Sequence, residues 1–152
     1  NLLSIRKKIT HKFIRKIMKY FDYKVRVRYA ETDKMGVVYH GNYAQYFEIG
    51  RVEWLRNLGI SYKKMEELGV MLPVVSLTMN YKKSAFYDDD LTIRTIFKKL
   101  SSVKIEFDYE LYNEKGDLLT TGNSVLVFVN METGRPMAAP DYVVDKIQML
   151  EK

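Results

Sequence analysis

No cysteine occurs in the 152 residues, which excludes a disulfide framework, a thiolate nucleophile and a Cys-ligated zinc site and suits a reducing compartment. Histidine is nearly as scarce. His11 and His40 stand far apart, leaving no ligand set with metal spacing and no second histidine in the domain for a serine triad, and no G-x-S-x-G elbow is present. No metal is expected, and no glycine-rich phosphate loop occurs. Apolar runs fall short of the roughly 18 residues needed to cross a bilayer, and the start has no uninterrupted apolar stretch of the secretory kind. A soluble, cytoplasmic protein is expected, with any catalysis left to Asp, Glu, His, Ser or Tyr.

Acids are missing from one region only. Residues 1–20 hold seven of the 25 Lys and Arg and no Asp or Glu, leaving 18 bases against 19 acids in the remainder. The formal charge of +6 is thus a terminal property, and nucleic acid is not an expected partner. In this stretch Ile5, Ile9, Phe13, Ile17 and Phe21 recur every fourth position, as in one stripe of an amphipathic helix. Residues 1–21 are taken as a basic amphipathic extension. Four roles stay open for it: a solvated helix laid on the domain, a peripheral anchor for anionic lipid or another acidic partner, a targeting presequence, or a segment upstream of a start at Met18.

Residues 22–152, with 47% hydrophobic content in the whole chain, suffice for one domain with a real core. Val25, Val27 and Tyr29 alternate with Arg26 and Arg28, the period of a half-buried strand. From Asn42 the period lengthens: Ala44, Phe47, Arg51, Trp54, Leu55 and Leu58 share a helical sector, with Asn42 as a cap and Gly59 as the stop. Apolar residues flank that sector, so other structure should cover the helix. A short helix follows between Ser61 and Gly69. After Pro73 come strands at 74–84, 91–99, 103–112 and 118–130, the third alternating most cleanly and the fourth apolar in both phases. A last helix is expected over Asp141 to Leu150. The order predicts an α+β fold, an antiparallel sheet of about five strands wrapped around one long central helix.

Between the first strand and the long helix lies "YAETDKMGVVYHGNY". With its flanks, "VRVRYAETDKMGVVYHGNYAQYFEIGRVEWLR" resembles the opening of the hotdog-fold acyl-CoA thioesterases, in the group similar to 4-hydroxybenzoyl-CoA thioesterase and the Tol-Pal-associated bacterial enzymes. The likeness covers roughly Tyr23 to Lys152. Tyr29, Glu31, Thr32, Asp33, Gly36, Val37, Val38, Tyr39, His40, Asn42 and Tyr43 match the family pattern, with Glu31 where many members carry Asp. The resemblance implies hydrolysis of acyl-CoA to free acid and coenzyme A, with the aspartate as nucleophile or general base and a backbone NH at the helix start polarising the carbonyl. It also implies an active site formed between two subunits whose sheets join edge to edge, in dimers or tetramers. No cofactor is implied beyond the coenzyme A carried by the substrate.

The residues themselves allow that chemistry. A thioester needs a nucleophile or a base for water and donors for the developing oxyanion, because thiolate leaves readily. Asp33 can supply the first; in a loop after a strand, Asp is otherwise a turn former. Gly36 lets a tight backbone or a ligand come close. The first NH groups of the helix, at His40 or Gly41, lack intrahelical partners and suit an oxyanion. The His40 ring can polarise the thioester, bond Asp33 or orient water; alternatively it caps or packs. Tyr29 is a candidate for catalytic support and Tyr39 for substrate contact, with core aromatics as the plain alternative for both. Glu48 is a backup carboxylate, with ion pairing to Arg51 as the plain alternative, and Glu53 has Arg56 at the same spacing. Lys82 and Lys83, and less directly Lys98, Lys99 and Arg135, are candidates for the coenzyme A phosphates or are solvated strand-end charges. Two other functions remain open: hydrolysis of acyl-acyl-carrier-protein, recruited by the basic extension, and a non-hydrolytic acyl-binding module.

Overall fold

A computed structural model describes residues 19–151; the expectations for residues 1–18 lie outside the described residues. Five strands form one antiparallel sheet: β1 (Tyr20–Arg26), β3 (Val74–Tyr81), β4 (Asp90–Ser101), β5 (Lys104–Tyr112) and β6 (Leu118–Val127), in the order β1-β4-β5-β6-β3. A two-stranded ribbon of β2 (Val70–Met71) and β7 (Val129–Asn130) lies beside it. The strand expected over 118–130 is therefore broken at Phe128. The helical part is divided into α1 (Tyr43–Asn57), α2 (Tyr62–Glu67) and α3 (Asp141–Glu151). At 15 residues α1 is the longest of these, shorter than the single long helix expected, and it is preceded by a 3-10 turn at His40–Asn42.

Alternation decides which face of the sheet takes α1. Leu91, Ile93, Thr95 and Phe97 of β4, and Ile105, Phe107, Tyr109 and Leu111 of β5, are all buried, whereas their neighbours of opposite phase are only partly covered or exposed. Onto that face α1 lays Phe47, stacked on Tyr109 with ring centroids 4.5 Å apart, and Trp54, which packs on Phe97 and Phe107. Two glycines let the layers approach. A Cβ on Gly50 would lie 2.4 Å from the Thr95 hydroxyl and 2.7 Å from Ile93 Cγ2, and one on Gly122 would lie 2.4 Å from Phe47 Cε2. Gly50→Ala is expected to lower stability by about 2 kcal/mol, because overpacking outweighs the gain in helix propensity. A denaturant midpoint at or above wild type would show that the layers give way.

The element ends report which local signals act. Ser61 Oγ accepts the Lys64 NH at 3.3 Å, and Gly59 and Gly69 adopt φ of +85° and +83° at the helix stops. Asn42 does not cap α1. Its backbone is αR and its side-chain amide instead donates to the Glu31 carbonyl at 2.8 Å. Phe21, grouped with the helical stripe of the extension, pairs with Thr95 in β1. Tyr29 does not continue the strand: the chain leaves β1 at Arg26 and turns through a 3-10 segment at Tyr29–Glu31, leaving Tyr29 78% exposed.

At the other edge, β3 pairs only with β6 among the described strands. Val75, Leu77 and Tyr81 are exposed, and Met79 is partly covered. α1 lies over β1 and β4, so it leaves the helix-side phase of β3 open.

Candidate active site

Glu31 organises the junction between β1 and α1. It is 7% exposed, accepts the Arg28 NH at 2.8 Å, the Arg28 guanidinium at 3.1 and 2.9 Å and the Tyr46 hydroxyl at 2.9 Å, and its carbonyl takes the Tyr39 NH and the Asn42 amide. Burial pushes its carboxyl up, but the Arg28 and Tyr46 hydrogen bonds prevail and hold it below the usual carboxylate range. The Tyr46 phenol is driven well up by its own burial and by the Glu31 bond. One buried acid thus ties the incoming strand, the 3-10 turn and the first turn of α1 together.

From that anchor the chain makes a tight excursion. Thr32 bridges Val38, the Asp33 NH donates to the Val37 carbonyl at 2.9 Å, and the Gly36 NH donates to the Asp33 carbonyl at 3.0 Å. Asp33 Oδ1 accepts the Met35 NH at 2.8 Å, closing an Asx turn. Gly36 is required here for its φ of +77°; a Cβ on it would meet nothing within 4 Å. The expectation that its missing side chain admits a close neighbour is corrected: backbone conformation is the constraint.

The chain then returns and starts the helix. The first turn bond runs from the Asn42 NH to the Tyr39 carbonyl, so the NH groups of His40 and Gly41 precede it and have no partner in the turn. Gly41 permits the Tyr39 ring to fold close, since a Cβ there would lie 2.8 Å from Tyr39 Cε1. The Tyr39 and His40 rings lie 4.3 Å apart, and Tyr81 at the end of β3 donates its hydroxyl to the His40 carbonyl at 3.0 Å.

A cavity of about 270 Å³ is lined by Asp33, Val38, His40, Tyr43, Tyr81 and the Lys82–Ser84 segment. Of the sequence candidates it gathers Asp33, His40, Lys82 and Lys83. It does not gather Tyr29, whose ring meets Tyr87 edge-on at 5.7 Å, nor Tyr39, Gly36 or Gly41. Glu48 is exposed on α1 and forms no ion pair with Arg51 among the described residues, whereas Glu53 and Arg56 do pair. No hydrogen bond joins His40 to Asp33 among the described residues. Among those residues, too, no group of three His, Asp or Glu side chains converges as metal ligands would.

Tyr43 and Tyr81 were missed as site residues, and their rings meet edge-on at 5.2 Å in the cavity wall. Burial pushes the Tyr43 phenol up, with the Ala85 backbone opposing and Tyr81 adding to it. Alternation puts Tyr81 on the helix side of β3; only the sheet order shows that this side reaches His40. The arrangement sets Asp33 and the His40 end of the helix start on one aromatic-walled cavity, with Lys82 and Lys83 on its lining.

The chain matches the model of the thioesterase-like superfamily over residues 27–147. It is 37% identical over 122 residues to a Bacillus subtilis (strain 168) protein named "Putative acyl-CoA thioesterase YneP", covering 78% of this chain and 88% of that one. To the acyl-CoA thioester hydrolase YbgC of Escherichia coli O157:H7 it is 32% identical over 124 residues, covering 82% of this chain and 92% of that one. The solved structure of a DHNA-CoA thioesterase from Staphylococcus aureus superposes with a TM-score of 0.81 at 42% identity, covering 87% of this chain and 93% of that one.

Proposed function

The chain belongs to the thioesterase-like superfamily, and from that premise we propose that it hydrolyses acyl-CoA thioesters at the cavity of Asp33 and His40. One observation carries the reading: the Asp33 carboxylate shares a cavity with the helix start whose His40 and Gly41 NH groups precede the first turn bond. The thioester carbonyl oxygen points at those NH groups, which hold its negative charge as the tetrahedral intermediate forms. Asp33 either attacks the carbonyl carbon, expelling the coenzyme A thiolate and leaving an anhydride that water cleaves, or takes a proton from the water that attacks directly. Both routes consume one water and give free acid and coenzyme A. The His40 ring orients water or the thioester, and Tyr43 and Tyr81 wall the acyl group. Tyr29 and Tyr39, outside the cavity, have no catalytic part in this reading.

The coenzyme A phosphates are assigned to Lys82 and Lys83. Lys83 has only Asp117 at 3.8 Å between two exposed side chains, and Lys82 forms no ion pair among the described residues. Replacing both with alanine is expected to raise KM several-fold with kcat little changed, and to flatten the salt dependence of kcat/KM. Equal loss in kcat and kcat/KM would place them elsewhere in the reaction. Oligomerisation is assigned to β3, whose unpaired edge and exposed Val75 and Leu77 suit pairing with a second copy.

The test is release of coenzyme A thiol by the purified full chain from short, long and aromatic acyl-CoAs, beside the same acyl groups on carrier protein. Turnover on acyl-CoA supports the reading. Turnover on carrier protein alone, lost as salt rises, would move the substrate to the carrier, and no turnover on either would favour an acyl-binding module.

A further inference from the structure

Arg51 is a buried cation without an acid. It is 8% exposed, its Nε is buried with no hydrogen-bond partner, and it makes no salt bridge among the described residues. A charge removed from water in this way is costly unless something outside the described structure compensates it. Arg51 lies near the Tyr109 and Tyr62 phenols, opposing the upward push that burial gives each, and the Tyr109 hydroxyl lies 2.6 Å from Ser124 Oγ.

Its position relative to the cavity is fixed by helix spacing and sheet register. Tyr43, Phe47 and Arg51 stand at successive four-residue steps and so form one row along α1. Tyr43 lines the cavity, and Phe47 lies over Gly122 and stacks on Tyr109. Alongside runs the uncovered phase of β3: Tyr81 opposite Thr120, Met79 opposite Gly122 and Leu77 opposite Ser124. This row of α1 and the uncovered phase of β3 run side by side from the cavity toward the Arg51, Tyr109 and Ser124 group, and together they mark the track along which an acyl group would lie. At about 1.5 Å per residue, Arg51 Cα lies roughly 14 Å along the helix from Asn42, and helical side chains lean back toward the N-terminus. That distance matches an acyl group of modest length.

We propose that Arg51 is a specificity-determining residue at the far end of the acyl track, where it binds an oxygen acceptor, carboxylate or hydroxyl, borne on the distal end of the acyl group. The proposal rests on the acyl-CoA reading above and adds what that reading leaves open, the chemistry of the acyl terminus. A bare alkyl terminus leaves the Arg51 Nε unpaired, so discrimination comes as much from rejecting the plain chain as from favouring the oxygenated one.

The test compares hexanoyl-CoA with 6-hydroxyhexanoyl-CoA and the mono-CoA thioester of adipic acid, as kcat/KM, in wild type, Arg51→Met and Arg51→Lys. Thioether analogues of the same three, which cannot be hydrolysed, are compared by equilibrium binding. Wild type is expected to favour at least one oxygenated partner by tenfold or more; Arg51→Met brings the ratio near one while still accepting the plain chain, and Arg51→Lys restores part of it. A wild-type ratio near one in both measurements overturns the proposal, as does an unchanged ratio in Arg51→Met, and the wild-type ratio serves even if that variant fails to fold. Hydrolysis of all three at equal rates sinks this inference and leaves the enzyme reading standing; selective binding without hydrolysis does the reverse. Loss of self-association in Arg51→Met with no wild-type selectivity would assign the guanidinium to a carboxylate of a second copy, against the proposal.

Discussion

Asp33→Asn is expected to lower kcat for acyl-CoA hydrolysis by at least about a hundredfold while leaving the unfolding midpoint close to wild type. The two halves of the prediction come from the two oxygens of the carboxylate. Oδ1 accepts the Met35 NH and shapes the turn, and an asparagine Oδ1 can accept the same bond. Replacing the carboxylate by an amide removes the negative charge, and with it both nucleophile and base. The surrounding turn is held by backbone bonds from Asp33 to Val37 and from Gly36 to Asp33, which the substitution does not touch. A loss confined to KM would mean that Asp33 only helps to bind.

Glu31→Ala is expected to fail in the opposite way, costing on the order of 2–4 kcal/mol of stability and taking activity down with it. Arg28 is largely exposed, so the Coulombic part of its pairing with Glu31 is small. The cost arises instead from stranding the buried Tyr46 hydroxyl and the Arg28 NH, and from the space left where the carboxylate stood. The same loss frees the turn that positions the His40 and Gly41 NH groups. Because the folded Glu31 carboxyl is held low, its contribution is fully present above the unfolded carboxylate value of about 4.3 and is lost as pH falls through the lower folded value. Denaturant midpoints of wild type and Glu31→Ala should therefore converge in acid. A gap that persists unchanged into strong acid would show that packing alone separates them.

Sequence periodicity reached the sheet better than the site. β5 was legible because Ile105, Phe107, Tyr109 and Leu111 alternate without interruption and all point inward. Phe21 was misread because a spacing of four is even, so a strand and a helix both place Ile17 and Phe21 on one side; β1 takes Phe21. Tyr29 continued an alternation that the chain does not follow, since Glu31 and Arg28 pin a turn there, and a buried acid leaves no periodic trace. Asn42 has the composition of a cap, yet its amide is claimed by the Glu31 carbonyl, eleven residues back. Asp33 and His40 were reached through the family-like motif that holds them seven residues apart, since on its own an Asp after a strand reads as a turn former. Tyr81 could not be reached, as only the β3 and β6 pairing and the sheet order bring it to the helix start. Arg51 shows the same limit: spacing offered Glu48 as its partner, but the structure turns Arg51 inward and leaves Glu48 in solvent.

In the proposed reaction, the carboxylate at the head of the helix, and not one on the helix itself, splits the thioester. Coenzyme A thiol release from a single acyl-CoA, measured side by side for wild type, Asp33→Asn and Glu48→Gln, tests it most directly. Expected are turnover in wild type, near-complete loss in Asp33→Asn and a rate within a few-fold of wild type in Glu48→Gln. Full activity in Asp33→Asn with collapse in Glu48→Gln would contradict it and move the chemistry one and a half turns along α1.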